Sequence, residues 1–467
     1  MTEVKKNKEK RSESVGEKII ESPARALEET IKISGEVEKV IIEQGPVRKL
    51  GNYWRMLGPG LTTGAADDDC SGIGTYSQTG AGYGFKFLWL APFSFPLMAV
   101  TQEMCARIGL VTGRGLAGNI KRFFPRWVLI LCTILLFAAN TFNIGADLGA
   151  MSEALRLFWP QLNYFFLIVV VAAVILILQI FLSYERYARY LKWLALVLFS
   201  YVLATLLIKG LDWHAILNAS IKPSFSFTKD QILIVTGALG TTISPYLFFW
   251  QTSQEVEESI QSGQKSIQSR IDAVSPDDIT DMRIDIWSGM FLSNLAMFFI
   301  IAACGATLHA AGIMSIDSAA QAAAALRPLA GDYSYLLFAV GIIGVGALGI
   351  PVLAGSSSYA IAETFGWKQG LHYKLRQAYA FYGIIIISLL IGVLMNLAGL
   401  NAMKTLVYSA IANGCVAPVA LILILILSSS KKVMGERANR WPAKIVGGIC
   451  TLLMIVAGAA TIWALLN

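Results

Sequence analysis

Charge is scarce along most of this sequence. Only 15% of its 467 residues are charged while 55% are hydrophobic, a balance that excludes an ordinary soluble enzyme and fits a chain embedded in a bilayer. The scarcity is sharper than the mean suggests, because residues 1–51 alone hold 11 Lys/Arg and 10 Asp/Glu. Histidine is almost missing, with His214, His309 and His372 scattered singly. The six cysteines (Cys70, Cys105, Cys132, Cys304, Cys415, Cys450) are equally dispersed, which excludes a disulfide framework or a zinc cluster of ordinary spacing. No H-E-x-x-H, G-x-S-x-G or paired Y-D and G-x-G-D motif occurs, so nothing points to an intramembrane hydrolase, and neither an enzyme activity nor a cofactor is expected. The opening run Lys5-Lys6-Asn7-Lys8-Glu9-Lys10-Arg11 has no apolar core behind it, so no signal peptide is predicted.

What the chain does have is apolar length. About 11 segments of some 20 residues are long enough to cross a bilayer as helices. They begin near Leu57, Phe87, Trp127, Tyr164, Ala188, Ile232, Ile286, Tyr335, Ala378, Leu406 and Ile445. Alternate loops carry the basic residues: Arg107/Arg114/Lys121/Arg122/Arg126, Arg186/Arg189/Lys192, Lys265/Arg270/Arg283, Lys368/Lys374/Arg376 and Lys431/Lys432/Arg437/Arg440. The opposite loops hold little beyond Lys86, Lys209, Lys222, Lys229 and Arg327. By the positive-inside rule this predicts a multi-pass protein of the inner or plasma membrane with its N-terminus in the cytosol. The net charge of +7 then reflects membrane orientation, and the expected surroundings are lipid, with no nucleic acid and no obligate protein partner. The predicted organisation is a charged, largely disordered tail (1–51), with one amphipathic helix around Ala26–Ile42, followed by a transmembrane domain (52–467). That domain divides into a first repeat (52–208), a second (229–428) and an extra C-terminal helix (442–466).

Two segments are interrupted. The first contains Gly58-Pro59-Gly60 and Gly64-Ala65-Ala66-Asp67-Asp68-Asp69-Cys70-Ser71-Gly72; the sixth contains Gly240-Thr241-Thr242-Ile243-Ser244-Pro245-Tyr246. Each opens a block of five spans, and an odd number per block makes the two blocks opposite in orientation. Gly/Pro-interrupted segments at corresponding places of inverted halves mark a transporter's binding site, because non-helical backbone is tolerated at that depth only where it is buried or lines a cavity. Ionised carboxylates there need a cation or water to meet them. Carboxylate, carbonyl and hydroxyl oxygens suit hard ions such as Mg²⁺, Ca²⁺ or Mn²⁺. An amino-acid carrier of similar build would present bare helix N-termini to a substrate carboxylate, which these aspartates would repel.

These motifs, together with Thr112-Gly113-Arg114-Gly115-Leu116-Ala117 after the second span, resemble the Nramp metal-ion transporters over nearly all of 52–467. The resemblance implies an all-α LeuT-like fold, a 5+5 inverted repeat with broken helices 1 and 6, that moves a divalent metal ion by alternating access. It also implies ligands at Asp69, the carbonyls of Ala66 and Thr241, and Ser244, with Asp68 in the first or second shell or facing water. The family's Asp-Pro-Gly-Asn is here Asp69-Cys70-Ser71-Gly72, and its Met-Pro-His is Ser244-Pro245-Tyr246. The Asp67-Asp68-Asp69 and Ser71-Gly72 pattern resembles the Nramp-related magnesium-transporter branch, which usually has proline at the position of Cys70. The third span keeps Asp147 but has Ala150 in place of a glutamate, so weak or absent proton coupling is predicted. Asn413, before Pro418, is either a further cavity ligand or packing between helices; Asn140 and Asn143 are similar cases. Ser356-Ser357-Ser358 reads as close helix packing.

Overall fold

The computed structural model describes residues 58–181, 199–208, 210–326 and 331–466. The charged tail with its expected helix, the predicted start of the fifth span at Ala188, and Arg186, Arg189, Lys192, Lys209 and Arg327 lie outside the described residues.

The first span is two helices. α1 (Pro59–Asp67) begins on a proline, whose fixed φ and missing N–H suit a first helical turn. It stops at Asp68, where ψ swings to 51°, and Asp69 is extended with ψ −175°. Asp69 then caps α2 (Cys70–Tyr83), its Oδ1 accepting the Gly72 N–H at 3.0 Å. The break is therefore written locally, by a residue that prefers capping a helix to continuing one. α3 (Leu90–Thr112), a short connecting helix α4 (Leu116–Phe123), α5 (Arg126–Arg156) and α6 (Tyr164–Phe181) follow. The described part of the fifth span is α7 (Phe199–Leu206), and α8 (Trp213–Ile221) links the halves.

The second half repeats the plan. α9 (Lys229–Thr242) ends where Ile243 and Ser244 leave helical geometry, and Pro245 opens α10 (Pro245–Gln261). After α11 (Ile267–Ala273), α12 (Pro276–Cys304) runs into a π-helical turn, Gly305–His309. α13 (Ala319–Ala324), α14 (Ser334–Phe365), α15 (Tyr379–Met395), α16 (Ala402–Ser429), α17 (Lys431–Met434) and α18 (Trp441–Leu466) complete the chain. Eight described stretches are long and apolar enough to cross a bilayer; the other three expected spans are α1 with α2, α3, and α7. Among the described residues all regular structure is helical. Val170, Val174 and Ile177 on α6 and Leu452, Val456 and Trp463 on α18 are exposed, the apolar outer surface that a lipid environment requires. The last helix packs on α16, α9 and α3 and leaves its other face outward.

Packing between the halves is reciprocal. The helix after the first break, α2, packs on α12, and the helix after the second, α10, packs on α3. The half-helices before the breaks sit on glycine seams. A Cβ on Gly64 would run into the Gly289 carbonyl of α12, and one on Gly240 would run into the Ala410 carbonyl and Gly414 of α16. Without an apolar driving force between helices in lipid, such backbone proximity supplies the van der Waals contact that holds them. α5 and α14 pack closely on each other, joined where Asn140 Nδ2 donates to the Leu353 carbonyl (3.1 Å), Ser356 Oγ (2.8 Å) and Ser357 Oγ (3.0 Å). Asn140 and the serine run are thus packing residues.

Two carboxylates anchor the ends of helices. Asp285 accepts the N–H groups of Gly58 (2.8 Å), Gly60 (2.6 Å) and Leu61 (3.1 Å), holding the N-terminus of α1. Glu363 accepts the Gly118 N–H at 2.7 Å in the first turn of α4. Both place negative charge at a helix N-terminus, where backbone donors are unpaired and the dipole favours it. The two glycines of the Thr112–Ala117 motif have separate reasons. Gly113 has φ +61°, and a Cβ on Gly115 would collide with the Glu363 carboxylate.

Candidate metal centre at the two helix breaks

Asp69 is fully buried, and its two oxygens face different partners. Its Oδ1 accepts from Ser71 Oγ (2.6 Å) and the Gly72 N–H (3.0 Å). Its Oδ2 accepts from Asn143 Nδ2 of α5 at 2.8 Å and lies 3.3 Å from the Tyr246 hydroxyl of α10. That hydroxyl also donates to the Ala66 carbonyl at 2.8 Å. One side chain of the sixth span therefore spans two oxygens of the first. Asn143 is oriented in turn by Ser409 of α16, whose hydroxyl donates to its Oδ1 at 2.8 Å. Gly349 of α14 closes the remaining side, since a Cβ there would meet Asp69 Cβ at 2.7 Å.

The second break supplies oxygens of its own. Ser244 Oγ donates to the carbonyls of Gly240 (2.8 Å) and Thr241 (2.6 Å), and Thr241 Oγ1 lies 3.5 Å from Ser71 Oγ. Tyr76 and Thr242 share a further hydroxyl pair at 2.8 Å. Each carbonyl keeps a second lone pair for another partner. Around Asp69 the donors are oxygen atoms, because the Cys70 thiol turns the other way. It donates to the Ile342 carbonyl of α14 at 3.4 Å and sits beside Met151 and Gly346.

The three consecutive carboxylates do not converge. Asp67 Oδ2 accepts from Ser293 Oγ of α12 at 2.6 Å, whereas Asp69 faces α5, α10 and α14. Asp68 is buried and neither of its oxygens has a hydrogen-bond partner, like Asp67 Oδ1. Among the described residues, no three His, Cys, Asp or Glu side chains are grouped so as to hold a metal ion. A cation here would be held by one carboxylate with carbonyl and hydroxyl oxygens.

Asp147 of α5 lies close to the same place, its Oδ2 3.6 Å from where a Gly349 Cβ would sit, with neither oxygen hydrogen-bonded. Asn413 is buried with both amide atoms unpartnered. It sits one helical turn from Ser409 on the same face of α16, and its neighbour Gly414 touches α9. The structure joins Asp69, Ala66, Thr241 and Ser244 into the two breaks; it connects neither Asp68 nor Asn413 to Asp69 by a hydrogen bond. Sequence reasoning missed the bridging role of Tyr246. Its position after Ser244-Pro245 was the only signal.

Two inverted halves, each opened by a broken helix, with a buried carboxylate bridged between the breaks, define a membrane protein of the LeuT-like inverted-repeat class. The chain belongs to the Nramp family, described as natural resistance-associated macrophage protein-like, which matches residues 60–464. It is similar to the divalent metal cation transporter MntH of Burkholderia ambifaria, with 25% identity over 88% of this chain and 89% of that protein. The MntH of Caldanaerobacter subterraneus subsp. tengcongensis is 26% identical over 88% of this chain and 93% of its own. Among solved structures, the Eremococcus coleocola manganese transporter superposes with a TM-score of 0.67 at 18% identity, covering 89% of this chain and 87% of that one. MHP1, a nucleobase-cation-symport-1 family transporter, gives 0.50 at 15% identity, covering 87% and 92%. At these identities the structures speak for the fold.

Proposed function

We propose that this protein carries a divalent metal ion across the membrane by alternating access, with Mg²⁺ or Mn²⁺ as the favoured cargo and with weak or no proton coupling. The observation that carries the reading is the set of oxygens at the breaks: Asp69 Oδ2, hydrogen-bonded by Asn143 and next to Tyr246, with the Ala66 and Thr241 carbonyls and Ser244. Hard oxygen donors without thioether, thiolate or imidazole suit Mg²⁺ and Mn²⁺ better than softer ions. Asp68 and Asn413, both buried, are the reserve donors once the broken helices shift. Mg²⁺ surrenders water reluctantly, and the proposal has a partly hydrated ion use the space that Gly72 and Ser244, in place of bulkier ligands, would give it once the broken helices shift. The MntH relatives, named as divalent metal cation transporters, support metal as the cargo. The basic residues of alternate loops support a cytosolic N-terminus, and import is the direction proposed.

One observation favours a second reading. Asp147 is buried beside Asp69 without a hydrogen-bond partner, where it would serve a proton-coupled Mn²⁺ or Fe²⁺ carrier of the ordinary Nramp kind. Flux into proteoliposomes carrying an internal pH dye separates the two. The proposal expects saturable entry of both Mg²⁺ and Mn²⁺ without acidification. Mn²⁺ entry with acidification and no Mg²⁺ signal would return the protein to the coupled mechanism.

A further inference from the structure

A cavity of about 740 Å³ lies away from the breaks, where the α3–α4 link, the end of α10, α11 and the α14–α15 loop meet. Five cations line it: Arg114, Lys121, Lys265, Arg270 and Lys368. Two carboxylates also line it, and both are already engaged by the protein. Glu257 accepts from Tyr359 Oη (2.6 Å) and the Leu371 N–H (3.0 Å) and pairs with His372 Nδ1 (2.6 Å). Glu363 accepts from the Gly118 N–H and from Gln369 Nε2 at 2.9 Å. Among the described residues none of the five cations forms an ion pair. Lys121 donates only to the Glu363 carbonyl, Arg270 only to the carbonyls of Gly113, Gln264 and Lys265, and the Arg114 Nε is buried with no partner. The wall beside Lys368 is aromatic, with Trp367, His372 and Tyr373. His372 and Tyr373 lie ring against ring at 4.1 Å.

We propose that this cavity binds a nucleoside polyphosphate. Unpaired guanidinium and ammonium groups are the side chains that recognise phosphate oxygens. An aromatic wall next to them offers a face on which a base stacks. The volume falls within the range of small-molecule sites, roughly 300–1,000 Å³. A ligand seated there touches both α10, which follows the second break, and the α14–α15 loop; on the carrier reading the broken helix moves against its neighbours, so the ligand would hold the two together. Bound nucleotide is therefore expected to slow transport; that consequence rests on the carrier reading, whereas binding itself does not.

The test is equilibrium dialysis of radiolabelled ATP against the purified full chain, with EDTA present so that no metal mediates the contact. Saturable binding of one ATP per chain is expected, competed by inorganic triphosphate. It should weaken about tenfold or more in the double variant Lys265→Gln/Lys368→Gln, since each lost charged hydrogen bond to phosphate removes a sizeable share of affinity. Both lysines are exposed and outside the helix breaks, so Mn²⁺ uptake by that variant in nucleotide-free vesicles stays within twofold of wild type. Absence of saturable ATP binding, or binding untouched by the double substitution, overturns the proposal. So does ATP binding in phosphatidylcholine vesicles that vanishes in phosphatidylglycerol vesicles, which would assign the cavity to a lipid headgroup. A failure of metal uptake by the wild type, with ATP binding intact, would sink the carrier reading and leave the cavity's assignment standing.

Discussion

Asp69→Asn stops metal uptake while leaving the protein folded. Asp69 has two separable jobs, and this substitution removes only one of them. As a cap it accepts the Gly72 N–H; asparagine caps helices as well as aspartate does, so α2 keeps its start. As a charge it is, among the described residues, the carboxylate hydrogen-bonded by Asn143 and Tyr246, whose hydroxyl also reaches the Ala66 carbonyl, and no other acidic side chain among them joins it in a metal-holding group. Removing the formal charge from a buried cation site costs about 3 kcal/mol or more, so uptake should fall by roughly 100-fold or beyond. Asp69→Ala adds the loss of the cap, about 1 kcal/mol, and should lower the unfolding temperature as well. Influx measured beside a thermal unfolding curve reads both effects. Wild-type uptake by Asp69→Asn would remove Asp69 from the site.

The second large effect belongs to a glycine that touches no cargo. Gly64→Val places two methyl groups where α1 meets the backbone of α12, against the Gly289 carbonyl. The obstacle is main chain, which cannot rotate aside as a side chain would, so seating α1 costs about 3 kcal/mol or more. The seating of α1 in which Asp285 grips its N-terminus is then lost, and uptake is expected to drop below a tenth of wild type. Gly64→Ala should fall between the two. Influx by protein recovered as a monodisperse peak is the readout, and normal transport by Gly64→Val would show that α1 does not pack on α12 in the working cycle.

Much of this was legible beforehand because membrane insertion leaves a strong trace in one dimension. Apolar length marks each span, and the sites of both breaks follow from glycine, proline and capping residues within a few positions of Asp69 and Ser244. What the sequence conceals is direction. Asp67, Asp68 and Asp69 look like one cluster in a row. The chain turns between them, so Asp67 reaches Ser293 of α12 and Asp69 reaches Asn143 of α5. The turn follows the ψ values at Asp68 and Asp69; the capping residue marks where the helix stops, but not which neighbouring helix each carboxylate then meets. Long-range partners were equally hidden. Asp285 grips residues some 225 positions earlier, and Glu363 meets Gly118 from 245 positions away. Tyr246 was visible as the replacement of a family histidine, yet its hydrogen bond to Ala66 needs the two breaks brought side by side.

The central claim is that the cargo sits between the two breaks on Asp69. Anomalous diffraction from crystals grown with Mn²⁺ tests it most directly. The account predicts one strong peak within bonding distance of the Asp69 carboxylate and the carbonyls of Ala66 or Thr241, lost in Asp69→Asn. A peak beside Cys70 and Met151, or one that survives in Asp69→Asn, would contradict it.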